Sequence, residues 1–434
     1  MTTRSEQDAA PPSLMGNGDF QKLWAGETIS VFGSQVTEFA LPLTAILTLH
    51  ATPSQVGILG TARYLPFLLV TVLAGVWVDR WRRRPVLLGT NLARAALIGL
   101  VPLAAITGRL SISLLCGIAF LVGSLTVLFD LAYLSYLPTL VPRGQLADGN
   151  GKLQASQSLA GVAGPGFAGV LVQILSAPVA LLLDALSYLF SAGSLWRIQG
   201  REPVPEPRTN REPWRQEVAE GLRTVFGHPC LRSLAGQGAT FNALENLILT
   251  VFMLYAIRVL GLGPGTLGLV LAAGSAGALL GALSGRRTAD VIGLGPALIG
   301  SMTVACLSPL LFLLARDSGP ASLSLLTGAF FLHGAGVAVG NVNAVTLRQV
   351  ITPGRLLGRM NASYRLLTYG AIPLGSLLGG SLASVVGLHT TLLLGATALP
   401  SALLWVVFSP VRSLPGLAAA AAIPAVPFLS TAKE

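Results

Sequence analysis

Gly75-Val76-Trp77-Val78-Asp79-Arg80-Trp81-Arg82-Arg83-Arg84-Pro85 is the stretch on which the reading of the fold turns. Apolar residues run up to Val78; an acid and four arginines then fall within six positions, and a further apolar run follows Pro85. Charge is expensive in hydrocarbon, so this reads as a charged corner between two membrane crossings. The rest of the chain agrees. Of 434 residues 52% are hydrophobic and only 11% charged, against about 25% charged in ordinary soluble proteins, and the mean hydropathy is +0.69. A typical soluble globule is excluded. A spanning helix takes about 20 apolar residues, so the chain has room for about a dozen.

Working outward from the corner, twelve apolar stretches stand out: 21–49, 54–78, 85–107, 111–136, 150–174, 178–197, 233–258, 264–285, 291–315, 320–345, 358–385 and 388–408. With the N-terminus inside, the cytoplasmic connections collect Arg80, Arg82, Arg83, Arg84, Arg143, Lys152, Arg286, Arg287 and Arg355, whereas the opposite connections hold only Arg109, Arg258 and Arg316. By the positive-inside rule both termini are expected in the cytoplasm. The net charge of +10 is thereby a topology signal, and nucleic acid drops out as a partner. Residues 1–19 lack the basic start, apolar core and cleavage site of a secretory signal. Cys116, Cys230 and Cys306 are far apart and the four histidines are scattered, so neither a disulfide framework nor a metal site is expected. No GxxxxGK[ST] loop, nucleophile elbow or HExxH occurs, which argues against a nucleotide, a cofactor or enzymatic chemistry.

The longest polar interruption, from Arg197 to Pro229, divides the spans six and six. The expected organisation is a tail (1–20), a six-helix bundle (21–197), a cytoplasmic loop (198–232) with a weakly amphipathic stretch from Trp214 to Phe226, a second bundle (233–408) and a tail (409–434). The halves echo each other: Val141-Pro142-Arg143-Gly144-Gln145-Leu146 returns as Thr352-Pro353-Gly354-Arg355-Leu356, each ahead of a span with a central proline, Pro165 or Pro373. Duplicated six-span halves with a site at their midplane interface are a plan common among secondary transporters.

The opening stretch matches the loop signature of the major facilitator superfamily, with Gly75, three residues, then Asp79-Arg80 and a basic run, in the right place between spans two and three. The chain resembles that superfamily from about Asp19 to Ser409. The resemblance implies a cytoplasmic gate at Gly75, Asp79, Arg80 and Arg83, with Asp130 of span four joining it; Arg82 to Arg84 also read as simple anchoring. In span five, Gly151, Ala160, Gly164-Pro165 and Ala168-Gly169 follow the spacing of the drug and proton antiporters, with two glycines replaced by alanines. The phrases Leu137 to Pro142, Asp184 to Leu189 and Leu357 to Ala362 resemble bacterial macrolide, tetracycline and siderophore exporters. One departure is that span four lacks the intramembrane arginine such antiporters often carry.

Charges inside the spans mark the candidate site, because each costs about 2.5 to 3.5 kcal/mol near the bilayer centre on insertion scales. Glu38 in span one and its repeat counterpart Glu245 in span seven are the proton-coupling candidates. Arg63, at similar depth in span two, is the natural partner of Glu38. Asn242, Asn246 and His333 are further cavity candidates, although asparagines also glue helices and a lone histidine is commonly a satisfied core residue. Glu27 reads as interfacial, and Arg94 and Asp184 as structural. Gly277, Gly281 and Gly285 recur every four residues as a close-packing face.

The expected protein is an all-α, multi-pass cell-membrane protein, a monomer exporting a small amphipathic molecule against protons by alternating access. A uniporter or nutrient importer, or a non-transporting receptor or scaffold of the same fold, is the alternative. Substrate chemistry is beyond the sequence.

Overall fold

The computed structural model describes the backbone of residues 14–78, 81–200, 202 and 214–416, and their side chains except at 71–78, 143, 214 and 215. The described residues form helices and turns, with no strand. In chain order the helices are α1 (Gly18–Leu43, prolonged by a π turn Thr44–Thr48), α2 (Pro53–Val78), α3 (Arg83–Ile106), α4 (Ile112–Leu140), α5 (Leu146–Leu175), α6 (Ala177–Trp196), α7 (Trp214–Gly227), α8 (Pro229–Arg258), α9 (Pro264–Ile292), α10 (Leu294–Leu307, prolonged by a 3-10 turn Ser308–Leu314), α11 (Pro320–Ile351), α12 (Leu357–Val386), α13 (Leu388–Ala398) and α14 (Leu404–Val407). Among the described residues eleven helical segments are long and apolar enough to cross a bilayer. Helix α2, 26 residues long, lies where the second crossing is expected.

Local chemistry sets several boundaries. Asn17 caps α1 by accepting from the Asp19 and Phe20 amides, both at 3.1 Å, and Asp19 adds an anion to the first turn, where the helix dipole favours it. The basic corner before α3 is closed from the linker: Glu202 accepts from the amides of Arg83 (2.6 Å) and Arg84 (3.1 Å). Several spans run further into the polar ends than hydropathy indicates, for example α4 to Leu140 and α11 to Ile351.

The internal repeat is visible in the element boundaries. A 3-10 turn, then a 30-residue helix, then a sharp corner occur at Arg143–Gln145, Leu146–Leu175 and Ser176, and again at Gly354–Leu356, Leu357–Val386 and Gly387, each pair 211 residues apart. The corner needs a left-handed backbone: φ is +88° at Gly387 and +75° at Ser176. Glycine takes that conformation freely, while Ser176 bears about 1 to 2 kcal/mol of Cβ strain.

Helix α1 packs on α5 and α6, α3 on α4 and α6, and α2 on α4; in the second group α8 packs on α12 and α13, and α11 on α9 and α10. The expected close-packing face of span eight is real: a Cβ on Gly277 or Gly281 would run into the α11 backbone at Phe331 or Ala335. Two seams join the groups, α2 to α12 and α5 to α9. Both are glycine crossings. A Cβ on Gly57 would fall 2.9 Å from Gly380 Cα, and one on Gly169 would fall 2.8 Å from Gly268 Cα. Polar links cluster at the same end of the molecule, the end that carries the α1–α2 turn: Arg258 Nη2 donates to the Ala51 carbonyl at 2.6 Å, and the Gly265 amide to Gln173 Oε1 at 2.9 Å. At the opposite end the linker helix α7 docks on α12, with Arg359 bonded to Glu220 and 3.7 Å from Glu217.

Candidate functional site

Glu38 and Arg63 come together. Arg63 Nη2 lies 3.2 Å from Glu38 Oε1, its Nη1 donates to the Glu38 carbonyl at 3.3 Å, and the hydroxyl of Tyr64 donates to Glu38 Oε1 at 3.4 Å. Although both residues lie mid-span, the Glu38 side chain is 48% exposed and that of Arg63 26%. Tyr64 is also within Coulombic reach of Glu245 in the second helix group. Glu38 and Glu245 thus face the gap between the groups from opposite sides, with Tyr64 between them.

Glu245 has a partner of its own that the sequence reading kept separate. His333 of α11 places Nε2 at 2.9 Å from Glu245 Oε1 and Nδ1 at 2.8 Å from the Ala305 carbonyl of α10. The Phe241 ring stacks on the imidazole with centroids 6.0 Å apart. A small pocket beside the pair is walled by Ile248, Leu249, Pro309, Phe312, Phe330 and Leu399. This geometry fixes a proton count. A carbonyl only accepts, so Nδ1 carries a hydrogen. The 2.9 Å contact at Nε2 then needs a second hydrogen, on the imidazole or on the carboxyl, because two lone pairs would repel there. The pair holds one proton beyond the neutral histidine and the ionised glutamate.

The asparagine candidates have internal work. Asn242 donates to the Thr368 carbonyl of α12 and Asn246 to the Asn242 carbonyl, both at 2.9 Å, so their amide nitrogens tie α8 to itself and to α12. In span five, Gly164 packs against the Gln35 side chain of α1, Ala160 and Ala168 are fully buried, and Gly169 forms the seam with α9, while Gly151 faces open space. A Cβ on Gly268 would also meet the carbonyl of Pro165 at 2.5 Å. The motif is a packing surface between the helix groups.

The expected gate lies partly outside the described residues: Asp79 and Arg80 are not among them, and Gly75 is described only as backbone. Two placements are corrected. Arg83 pairs with Glu202 at 3.7 Å rather than with Asp130, because Glu202 already binds the exposed amides of that helix start. Asp130 instead lies in Coulombic reach of Arg94 and of Arg365 in α12. Glu27, expected at the interface, is 8% exposed, because α1 begins at Gly18 and carries it inward. Arg94 is buried between the rings of Phe129 (4.3 Å) and Tyr188 (4.4 Å). The arginine missing from span four is thus supplied from α3 and laid against an α4 ring. Asp184 is fully buried and accepts from the hydroxyls of Thr37 and Ser187. Tyr64 and the Ala305 carbonyl had no sequence signal except adjacency to Arg63 in the first case.

Comparison with known proteins gives this geometry its context. The sequence profile of the transmembrane secretion effector family matches residues 10–430. The chain is 30% identical over 398 residues to the multidrug efflux pump Tap of Mycolicibacterium fortuitum, covering 86% of this chain and 91% of that one. Among solved structures it is similar in fold to the nucleoside transporter NupG (TM-score 0.72, 11% identity, 90% and 98% of the two chains). It is also similar to an inward-facing bacterial homologue of the iron transporter ferroportin (TM-score 0.69, 18% identity, 91% and 99%). The chain is a multi-pass cell-membrane transporter, not an enzyme, and belongs to the transmembrane secretion effector family of the major facilitator superfamily.

Proposed function

We propose that this transporter exports a small amphipathic molecule in exchange for protons, by alternating access of two six-helix halves (21–197 and 233–408) joined by the cytoplasmic loop 198–232. In this reading it crosses the membrane twelve times as a monomer in the lipid bilayer, with the tails 1–20 and 409–434 in the cytoplasm. The observation that carries it is the Glu245–His333 contact, with His333 Nδ1 committed to the Ala305 carbonyl. A site that stores one proton next to the gap between the halves can exchange it when access switches sides. Glu38 and Arg63 supply polar groups on the facing wall, Tyr64 stands between the two carboxylates, and Asn242 and Asn246 keep α8 in register. The efflux pump Tap is the relative that favours export. The glycine crossings and polar links at the α1–α2 end fit a conformation closed on the outer side.

The test is uptake into inverted membrane vesicles of a panel of amphipathic compounds, such as ethidium, tetracycline and erythromycin, with and without an imposed pH gradient. Uptake that collapses with the gradient in the wild type, and that ignores the gradient in Glu245→Gln, is the expected result. Uptake indifferent to the gradient in the wild type overturns the antiport.

A further inference from the structure

The first helix group contains more acid than base at membrane depth. Glu27 lies nine residues into α1, Arg94 eleven into α3, Asp130 ten before the end of α4, and Arg365 eight into α12. At 1.5 Å per residue all four sit about 12 to 17 Å from the same ends of their helices, in one layer. Among the described residues, four carboxylates (Glu27, Glu38, Asp130 and Asp184) share the interior of this group with two guanidiniums, Arg63 and Arg94.

Three of these carboxylates are provided for. Glu38 pairs with Arg63. Asp184 accepts from two hydroxyls and lies in reach of Arg94 and Arg63. Asp130 is exposed, in reach of Arg94 and of Arg365 from the other group. Glu27 is the remainder. Among the described residues no hydrogen bond or ion pair ends on its carboxylate, and it is 8% exposed. The groups facing it are Arg94 from α3 and Asp130 and Tyr133 from α4. The α5 and α6 residues that pack against α1 nearby, Ser156 and Ser194, are uncharged. Arg94 cannot swing across to it, because its guanidinium is wedged between Phe129 and Tyr188 and donates to Asn91, whose own amide is tied to Ser191 at 2.9 Å. A buried carboxylate with no donor and a second acid beside it is stable only when neutral.

We propose that Glu27 is a second proton-binding site of the transporter, separate from Glu245–His333 and located in the other helix group. It is occupied in this conformation. Its release is driven by Arg365: as the ends of the two groups approach, Arg365 takes over the charge of Asp130, the field of Arg94 is left to Glu27, and the Glu27 proton passes to water in the cleft. No covalent bond other than O–H changes.

The test is infrared difference spectroscopy of the full-length protein in lipid nanodiscs, titrated through about neutral pH, with deuterium exchange to mark protonated carboxyl bands. The wild type is expected to show a protonated-carboxyl band that disappears in Glu27→Gln, moves in Glu27→Asp, and survives in Asp184→Asn and Glu245→Gln. In Arg365→Gln the band should persist to higher pH, because a positive charge that favours the anion has gone. A spectrum unchanged by Glu27→Gln overturns the site, and an unchanged titration in Arg365→Gln overturns the release step. Should Glu27→Gln fail to accumulate, the displaced band of Glu27→Asp decides in its place. Neither readout depends on whether the protein exports anything.

Discussion

His333 holds Glu245 at 2.9 Å while its other ring nitrogen is committed to the Ala305 carbonyl at 2.8 Å. Each nitrogen therefore has one assigned role, and the proton between ring and carboxylate is the only mobile one. Replacing His333 by Gln keeps a donor for Glu245 but removes the second titrating group. His333→Gln is expected to reduce gradient-driven transport at least 10-fold while leaving substrate exchange across proteoliposomes without a gradient within about 2-fold. Equal loss of both would mean that the histidine is needed for packing alone.

The Glu38–Arg63 pair is half hydrated, with side-chain exposures of 48% and 26%. Its coupling should accordingly resemble that of a surface pair, on the order of 1 kcal/mol, and not the several kcal/mol of a buried one. A double-mutant cycle with Glu38→Gln and Arg63→Gln, read by thermal unfolding in detergent, measures this directly. A coupling of several kcal/mol would show that water does not reach the pair.

At the α5–α9 seam, Gly169 and Gly268 leave no room for side chains. Gly268→Leu should hold the two helices apart at that end, costing about 1 to 3 kcal/mol there as overpacking, without unfolding either group. The expected outcome is normal protein yield, loss of transport, and faster alkylation of a cysteine introduced at Thr61, whose hydroxyl reaches the Pro373 carbonyl across the other seam at 3.0 Å. Unchanged labelling would place the opening motion elsewhere.

The linker helix α7 is held on α12 by Arg359 with Glu217 and Glu220, and by the close approach of Gly221 to the Arg359 carbonyl. Arg359→Ala should raise amide exchange across residues 216–227 by 10-fold or more while changing exchange in α8 little. Transport is expected to fall by less than about 3-fold, since the linker touches no site residue described above.

Much of the architecture was legible because hydrocarbon imposes a strict code: long apolar runs must be helices, and arginine marks the ends. The quoted corner at Gly75 to Pro85, the alternation of sides and the six-span repeat all follow from that. Helix ends were less legible. Polar residues such as Glu27 and Asp130 look terminal to a hydropathy window, yet lie one to three turns inside helices that extend past the apolar run.

Charge identity was readable from the sequence; charge partnership was not. Glu38, Arg63, Glu245 and His333 could each be picked out alone, since a titratable residue inside a span is costly wherever it sits. Depth along the helices was enough to suggest Arg63 for Glu38, because α1 and α2 are consecutive and antiparallel. It could not join Glu245 to His333, 88 residues away, or set Arg94 between rings of α4 and α6, because rotation of each helix about its own axis is decided by packing of all its neighbours together. The sequence by itself determined that this chain is a membrane-spanning helical transporter with a repeat. Only the tertiary structure decided which acid shares a proton with which base, because that depends on ångström distances between helices that are remote in the chain.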